Sequence, residues 1–138
     1  MKGYVKFEVS EDLVEKTLRA IEMAKDTGKI RKGSNEVTKS IERGLAKLVI
    51  LAQGIDPEEI VMHIPMLCEE KKIPYTYVAD KKSLGKASGL EVGTSAIAIE
   101  KEGNAKNSVD EIVKIVKSKM GGEKAEKEEK PKKEGKKE

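Results

Sequence analysis

The chain has 138 residues, a formal net charge of +3 and 38% charged side chains, enough for one domain of ordinary size. Its longest apolar run, Leu48 to Ala52, falls far short of the roughly 20 residues that a membrane-spanning helix needs. The single cysteine, Cys68, excludes an internal disulfide and any paired-cysteine metal site. With no Trp, one Phe and three Tyr, the core is expected to be aliphatic. No apolar signal stretch follows Met1-Lys2-Gly3-Tyr4, so a cytoplasmic protein is expected.

In chain order, Ser10-Glu11-Asp12 opens a helix with Leu13, Thr17, Leu18 and Ile21 at helical spacing, ending near Gly28. Ile30 to Lys32 is a short extended piece. Asn35 to Leu45 reads as a second helix that turns Val37, Ile41 and Leu45 toward the core. Lys47 to Ala52 has the apolar density of a central strand. Asp56-Pro57-Glu58-Glu59 has the pattern of a capped helix start, predicting a third helix to about Lys72 with a bend at Pro65. Pro74 to Ala79 is a strand, Ser83 to Ala87 a short helix broken by Gly89, Ser95 to Ile99 a strand, and Ser108 to Met120 a closing helix. Helices alternating with strands predict an α/β domain over residues 1–120 with helices on both faces of one sheet. Residues 121–138 hold one apolar side chain, Ala125, among lysines and glutamates, and are expected to be a disordered tail.

Charge is unevenly placed. From Lys25 to Lys47 there are seven basic and three acidic side chains; from Asp56 to Lys72 there are five acidic and two basic ones. The basic segment is a candidate surface for a polyanion.

The signatures of catalysis are weak. Gly28-Lys-Ile-Arg-Lys-Gly33-Ser34 superficially resembles a P-loop, but Ser34 and Asn35 stand where the phosphate-binding lysine and its Ser/Thr belong. His63 and Cys68, five apart on one helix, point in different directions, which argues against a nucleophilic pair and for a packed or capped His63 and a core Cys68. The carboxylate pairs Glu58/Glu59 and Glu69/Glu70 fall at solvated helix ends. No cofactor, metal or small-molecule substrate is expected.

The remaining constellation is Lys32-Gly33-Ser34-Asn35-Glu36-Val37-Thr38-Lys39-Ser40-Ile41-Glu42-Arg43. Asn35, Glu36, Lys39 and Arg43 share one helical stripe, and Gly33-Ser34 leaves backbone N–H groups open at the helix start, where phosphate oxygens bind well. Asn and Lys can donate to base edges, and Glu36 can accept from a guanine amino group. The same spacing also suits an Asn35 N-cap with ordinary Glu–Lys helix pairs. Spacing alone leaves both readings open.

Lys32-Gly-Ser-Asn-Glu-Val-Thr-Lys39 with Glu42-Arg-Gly44 resembles the signature of the kink-turn RNA-binding family, which includes the archaeal ribosomal protein of "L-seven-Ae" type. The resemblance continues through Leu48–Ala52, His63-Ile-Pro-Met-Leu-Cys-Glu69, Ile73-Pro-Tyr-Thr-Tyr-Val78 and Leu84-Gly-Lys-Ala-Ser-Gly-Leu90, over about residues 4–119. It implies a three-layer α-β-α sandwich around a mixed four-stranded sheet, and a non-enzymatic protein that binds kink-turns and kink-loops, where tandem sheared G·A pairs adjoin a bulge. By that resemblance Asn35, Glu36 and Lys39 contact bases, Lys32, Gly33 and Arg43 lie along the RNA backbone, and Leu90-Glu91-Val92 packs on a bulged nucleotide. The implied partners are ribosomal RNA, box C/D and H/ACA guide RNAs and RNase P RNA, with other ribosomal and ribonucleoprotein proteins. A chain devoted to ribosomal RNA alone is the competing expectation.

Overall fold

Ser10 accepts a hydrogen bond from Leu13 N at 3.1 Å and so caps helix α1, Glu11–Thr27. In the computed structural model, which describes residue 5 and residues 7–119, α1 buries Leu13, Thr17, Ala20, Ile21 and Ala24. The expected tail, 121–138, lies outside the described residues.

Next come β1 (Lys29–Lys32), α2 (Ser34–Glu42), β2 (Leu48–Ala52), a 3-10 turn at Glu58–Ile60, α3 (His63–Lys71) and β3 (Tyr75–Val78). The chain continues through α4 (Lys81–Ala87), β4 (Ala96–Lys101), a second 3-10 turn at Gly103–Ala105 and α5 (Lys106–Lys119). The strands lie in the order β1-β4-β2-β3. β4 runs antiparallel to both β1 and β2, whereas β2 and β3 are parallel, so the sheet is mixed. All of β2 and β3 is buried, as their continuous apolar runs require of strands covered on both faces. α1 packs with α4 and α5, and α2 packs with α3 and on β1 and β4, giving helical layers on the two sides of the sheet. The core is mainly aliphatic, but Phe7 packs at a tilt against Tyr75 and edge-on against Tyr77, with ring centroids 5.5 and 5.1 Å away.

Several expectations need correction. The third helix does not start at Asp56. Pro57 is extended (ψ 147°) and stands at the N-cap position in place of Asp56, no side chain caps the segment, and only one tight turn forms before Val61 (φ −123°, ψ 0°) leaves helical geometry and is buried. α3 begins at His63, so Pro65 is its third residue, where a missing N–H interrupts no intrahelical bond and no bend is needed. Leu45 does not enter the core. α2 stops at Glu42, and Leu45 lies beyond it, 47% exposed. α4 starts two residues early because Asp80 Oδ1 accepts from Ser83 N at 2.7 Å and caps it.

Candidate nucleic-acid interface

The Lys32–Arg43 segment begins on β1 and turns sharply into α2. Gly33 makes the turn with φ +93°, ψ 150°, a region that side chains other than glycine's rarely adopt. Its N–H donates to Ala96 O at 2.8 Å, fixing the turn to the start of β4. Gly33, rather than Asn35, is the N-cap, and no side chain caps the helix. The first intrahelical bond runs from Val37 N to Gly33 O at 2.9 Å, leaving the N–H groups of Ser34, Asn35 and Glu36 pointing outward from a helix start.

Asn35, Glu36 and Lys39 are exposed, while Val37, Ser40 and Ile41 are buried on the opposite side of α2. Burying Val37 and Ile41 stabilises this placement by roughly 1.5–3 kcal/mol each. Among the described residues no hydrogen bond or ion pair engages the side chains of Lys32, Asn35, Glu36, Lys39 or Arg43. The Glu–Lys helix pairing that spacing allowed is therefore not made. Arg43 is the C-cap, exposed at the far end of α2, about 12 Å along the axis from Asn35.

The Leu90-Glu91-Val92 loop sits at the same end of the sheet as the α2 start. Thr94, which ends it, places its hydroxyl 3.5 Å from the Ala96 carbonyl that also receives Gly33 N–H. Leu90 N donates to Gly85 O at 2.9 Å and Thr94 N to Lys81 O at 3.1 Å, so α4 holds both ends of the loop. Gly85 is needed for this: a Cβ there would lie 2.1 Å from Val92 O. Leu90 is half-buried, Glu91 exposed, and Val92 71% exposed.

Two arrangements around α2 were not legible beforehand. Glu100, 7% exposed on β4, accepts from Ser40 Oγ at 2.7 Å and from Arg31 Nε at 3.2 Å. Burial raises its pKa, but the Ser40 hydroxyl and the Arg31 guanidinium outweigh burial and hold the carboxyl below its ordinary range. The only trace of this in sequence is a carboxylate directly after the apolar run ending at Ile99. On the other side, His63 Nε2 lies 2.8 Å from Thr38 Oγ1, so α3 adjoins α2.

Gly28–Ser34 contains strand β1 and forms no phosphate loop. Cys68 is fully buried, its thiol pushed up to about 12 by burial and then by Glu69, while His63 is exposed.

A sequence model of the family described as "Ribosomal protein L7Ae/L30e/S12e/Gadd45 family" matches residues 15–109. Among solved structures, the Giardia lamblia 15.5kD RNA binding protein superposes with a TM-score of 0.80 at 35% sequence identity. The match covers 86% of this chain and 98% of that one.

Proposed function

The chain belongs to the ribosomal protein L7Ae/L30e/S12e/Gadd45 family, and from that membership we propose that it binds RNA by recognising and stabilising kink-turns and kink-loops. The observation that carries the proposal is the uncapped start of α2, where exposed Asn35, Glu36 and Lys39, unpartnered among the described residues, stand beside open backbone N–H groups. A 35% identical relative that is itself an RNA binding protein supports it.

In this reading the N–H groups of Ser34–Glu36 and the side chains of Lys32 and Arg43 meet phosphates and sugars, fixing the protein on the RNA. Asn35 and Lys39 donate to the guanines of the sheared G·A pairs. Glu36 accepts from a guanine amino group, a role that makes an acidic side chain useful among basic ones. Val92 and Leu90 cover an unstacked bulge base. An A-form major groove is too narrow for a helix, so α2 enters only where the RNA is sharply bent. Binding the bent form more tightly shifts the RNA toward it; no bond is made or broken. The RNAs proposed are ribosomal RNA, box C/D and H/ACA guide RNAs and RNase P RNA.

Titrating a doubly labelled kink-turn without Mg²⁺ tests the proposal. Energy transfer should rise as protein is added, and a duplex lacking the bulge should bind far more weakly. Equal affinity for both RNAs would refute it. Sequencing the RNA that co-purifies from lysate then separates a shared kink-turn reader from a protein of ribosomal RNA alone.

A further inference from the structure

Glu100 occupies an irregular position in the sheet. Lys29 pairs with Lys101 and Ile30 with Ile99, so Glu100 is an extra residue of β4 without a register partner in β1. A single oxygen, Oε2, accepts from both Arg31 Nε and Ser40 Oγ. Arg31 immediately precedes Lys32, and Ser40 immediately follows Lys39. The two ends of the segment from Lys32 to Lys39 are thus fastened to one buried carboxylate, while Gly33 N–H ties its turn to Ala96 on the same strand. The apolar anchors Val37 and Ile41 turn one face of α2 to the sheet, but apolar burial is non-directional and fixes the helix's rotation about its own axis only to within the width of that stripe. The hydrogen bond from Ser40 fixes it more closely, because it has one acceptor in one place.

We propose that Glu100 is a positioning residue for RNA recognition: by gathering Arg31 and Ser40 at one oxygen, it sets the entry and rotation of α2 so that Asn35, Glu36 and Lys39 face the RNA together. This rests on the reading of α2 as the RNA-contacting helix. Its sign is distinctive. As a charge alone, an anion near a basic face opposes RNA binding, and removing it would tighten binding to every RNA. As a clamp, removing it lowers the fraction of molecules with α2 correctly set. If that fraction falls to about a tenth, kink-turn affinity falls about tenfold.

The test uses the full chain with Glu100→Gln, and with Ser40→Ala, which releases only the α2 end and serves if the first variant fails to fold. Affinities for a kink-turn and for a duplex of equal length are measured, with amide hydrogen exchange of residues 33–39 in free and RNA-bound protein. The clamp predicts about tenfold weaker kink-turn binding, duplex binding unchanged or tighter, and faster exchange in the free variants that returns to the wild-type rate in the complex. A folded variant with wild-type kink-turn affinity, or one that binds both RNAs more tightly, overturns it. If wild-type protein itself fails to prefer the kink-turn, the proposed function falls. Exchange of residues 33–39 then decides the clamp alone: faster exchange upholds it and unchanged exchange rejects it.

Discussion

Thr38 Oγ1 lies 2.8 Å from His63 Nε2 while donating its own proton to Ser34 O at 2.7 Å. A hydroxyl has one proton to give, so with that proton on Ser34 O the arrangement calls for Nε2 of His63 to donate in this pair. The bond links the first turn of α3 to the middle of α2, one residue before Lys39. Nitrogen NMR of the imidazole should accordingly find Nε2 protonated. His63→Ala should cost about 0.5–1.5 kcal/mol of stability, measured by urea unfolding.

The residues proposed to read bases and those proposed to contact the backbone should separate in a mutant series. Glu36→Ala and Lys39→Ala should each weaken kink-turn binding by about 1–3 kcal/mol, whereas Arg43→Ala should weaken all RNAs more evenly and reduce the salt slope. Isothermal titration at several salt concentrations reads both quantities. Tighter binding by Glu36→Ala would show that its carboxylate acts only as an unfavourable charge.

The loop of Leu90 to Val92 should respond through shape rather than charge. Gly85→Ala places a methyl against the Val92 carbonyl in a buried corner, and overpacking of this kind costs about 1–3 kcal/mol. Thermal unfolding should report that loss, and kink-turn affinity should fall with it. Replacing Leu90 and Val92 with Ser should lower affinity while leaving its salt dependence unchanged, since apolar contact with a base releases no counterions.

Cys68 makes the protein sensitive to alkali. Its folded pKa of about 12 lies above the ordinary value of 9.0, so its contribution is complete below pH 9 and is lost as pH rises through the folded value. Between those values the unfolded thiol ionises and the buried one does not, a slope of about 1.4 kcal/mol per pH unit. Urea titrations should show a shallower alkaline decline in Cys68→Ala than in wild type. At pH 8, iodoacetamide should label Cys68 only after unfolding.

How much was legible in sequence depended on the range of the interaction. Ser10, Asp12 and Gly28 act within a turn or two of their own positions, and α1 appears where they placed it. β2 and β3 announce themselves by unbroken apolar runs because both faces are covered. Asp56-Pro57-Glu58-Glu59 carries the same kind of local signal, yet burying Val61 ends that turn, and this is decided by the core rather than by neighbours in the chain. Leu45 continues the helical spacing of Val37 and Ile41, but the helix ends three residues before it. Asn35, Glu36, Lys39 and Arg43 are visible as a stripe, but their lack of side-chain partners among the described residues, and Gly33's role as cap, depend on how the distant strand β4 packs. The Glu100 bonds to Arg31 and Ser40 span 69 and 60 residues, beyond any periodicity.

β1 also has a consequence for how the sheet ends. It is an outer strand of only four residues, and Lys29 and Lys32 at its two ends are both exposed. A second copy of the protein approaching edge to edge would bring lysine against lysine, which disfavours extension of the sheet through β1 into a neighbour. In the proposed reading Lys32 thus has two uses, repelling another copy of this edge and attracting phosphate.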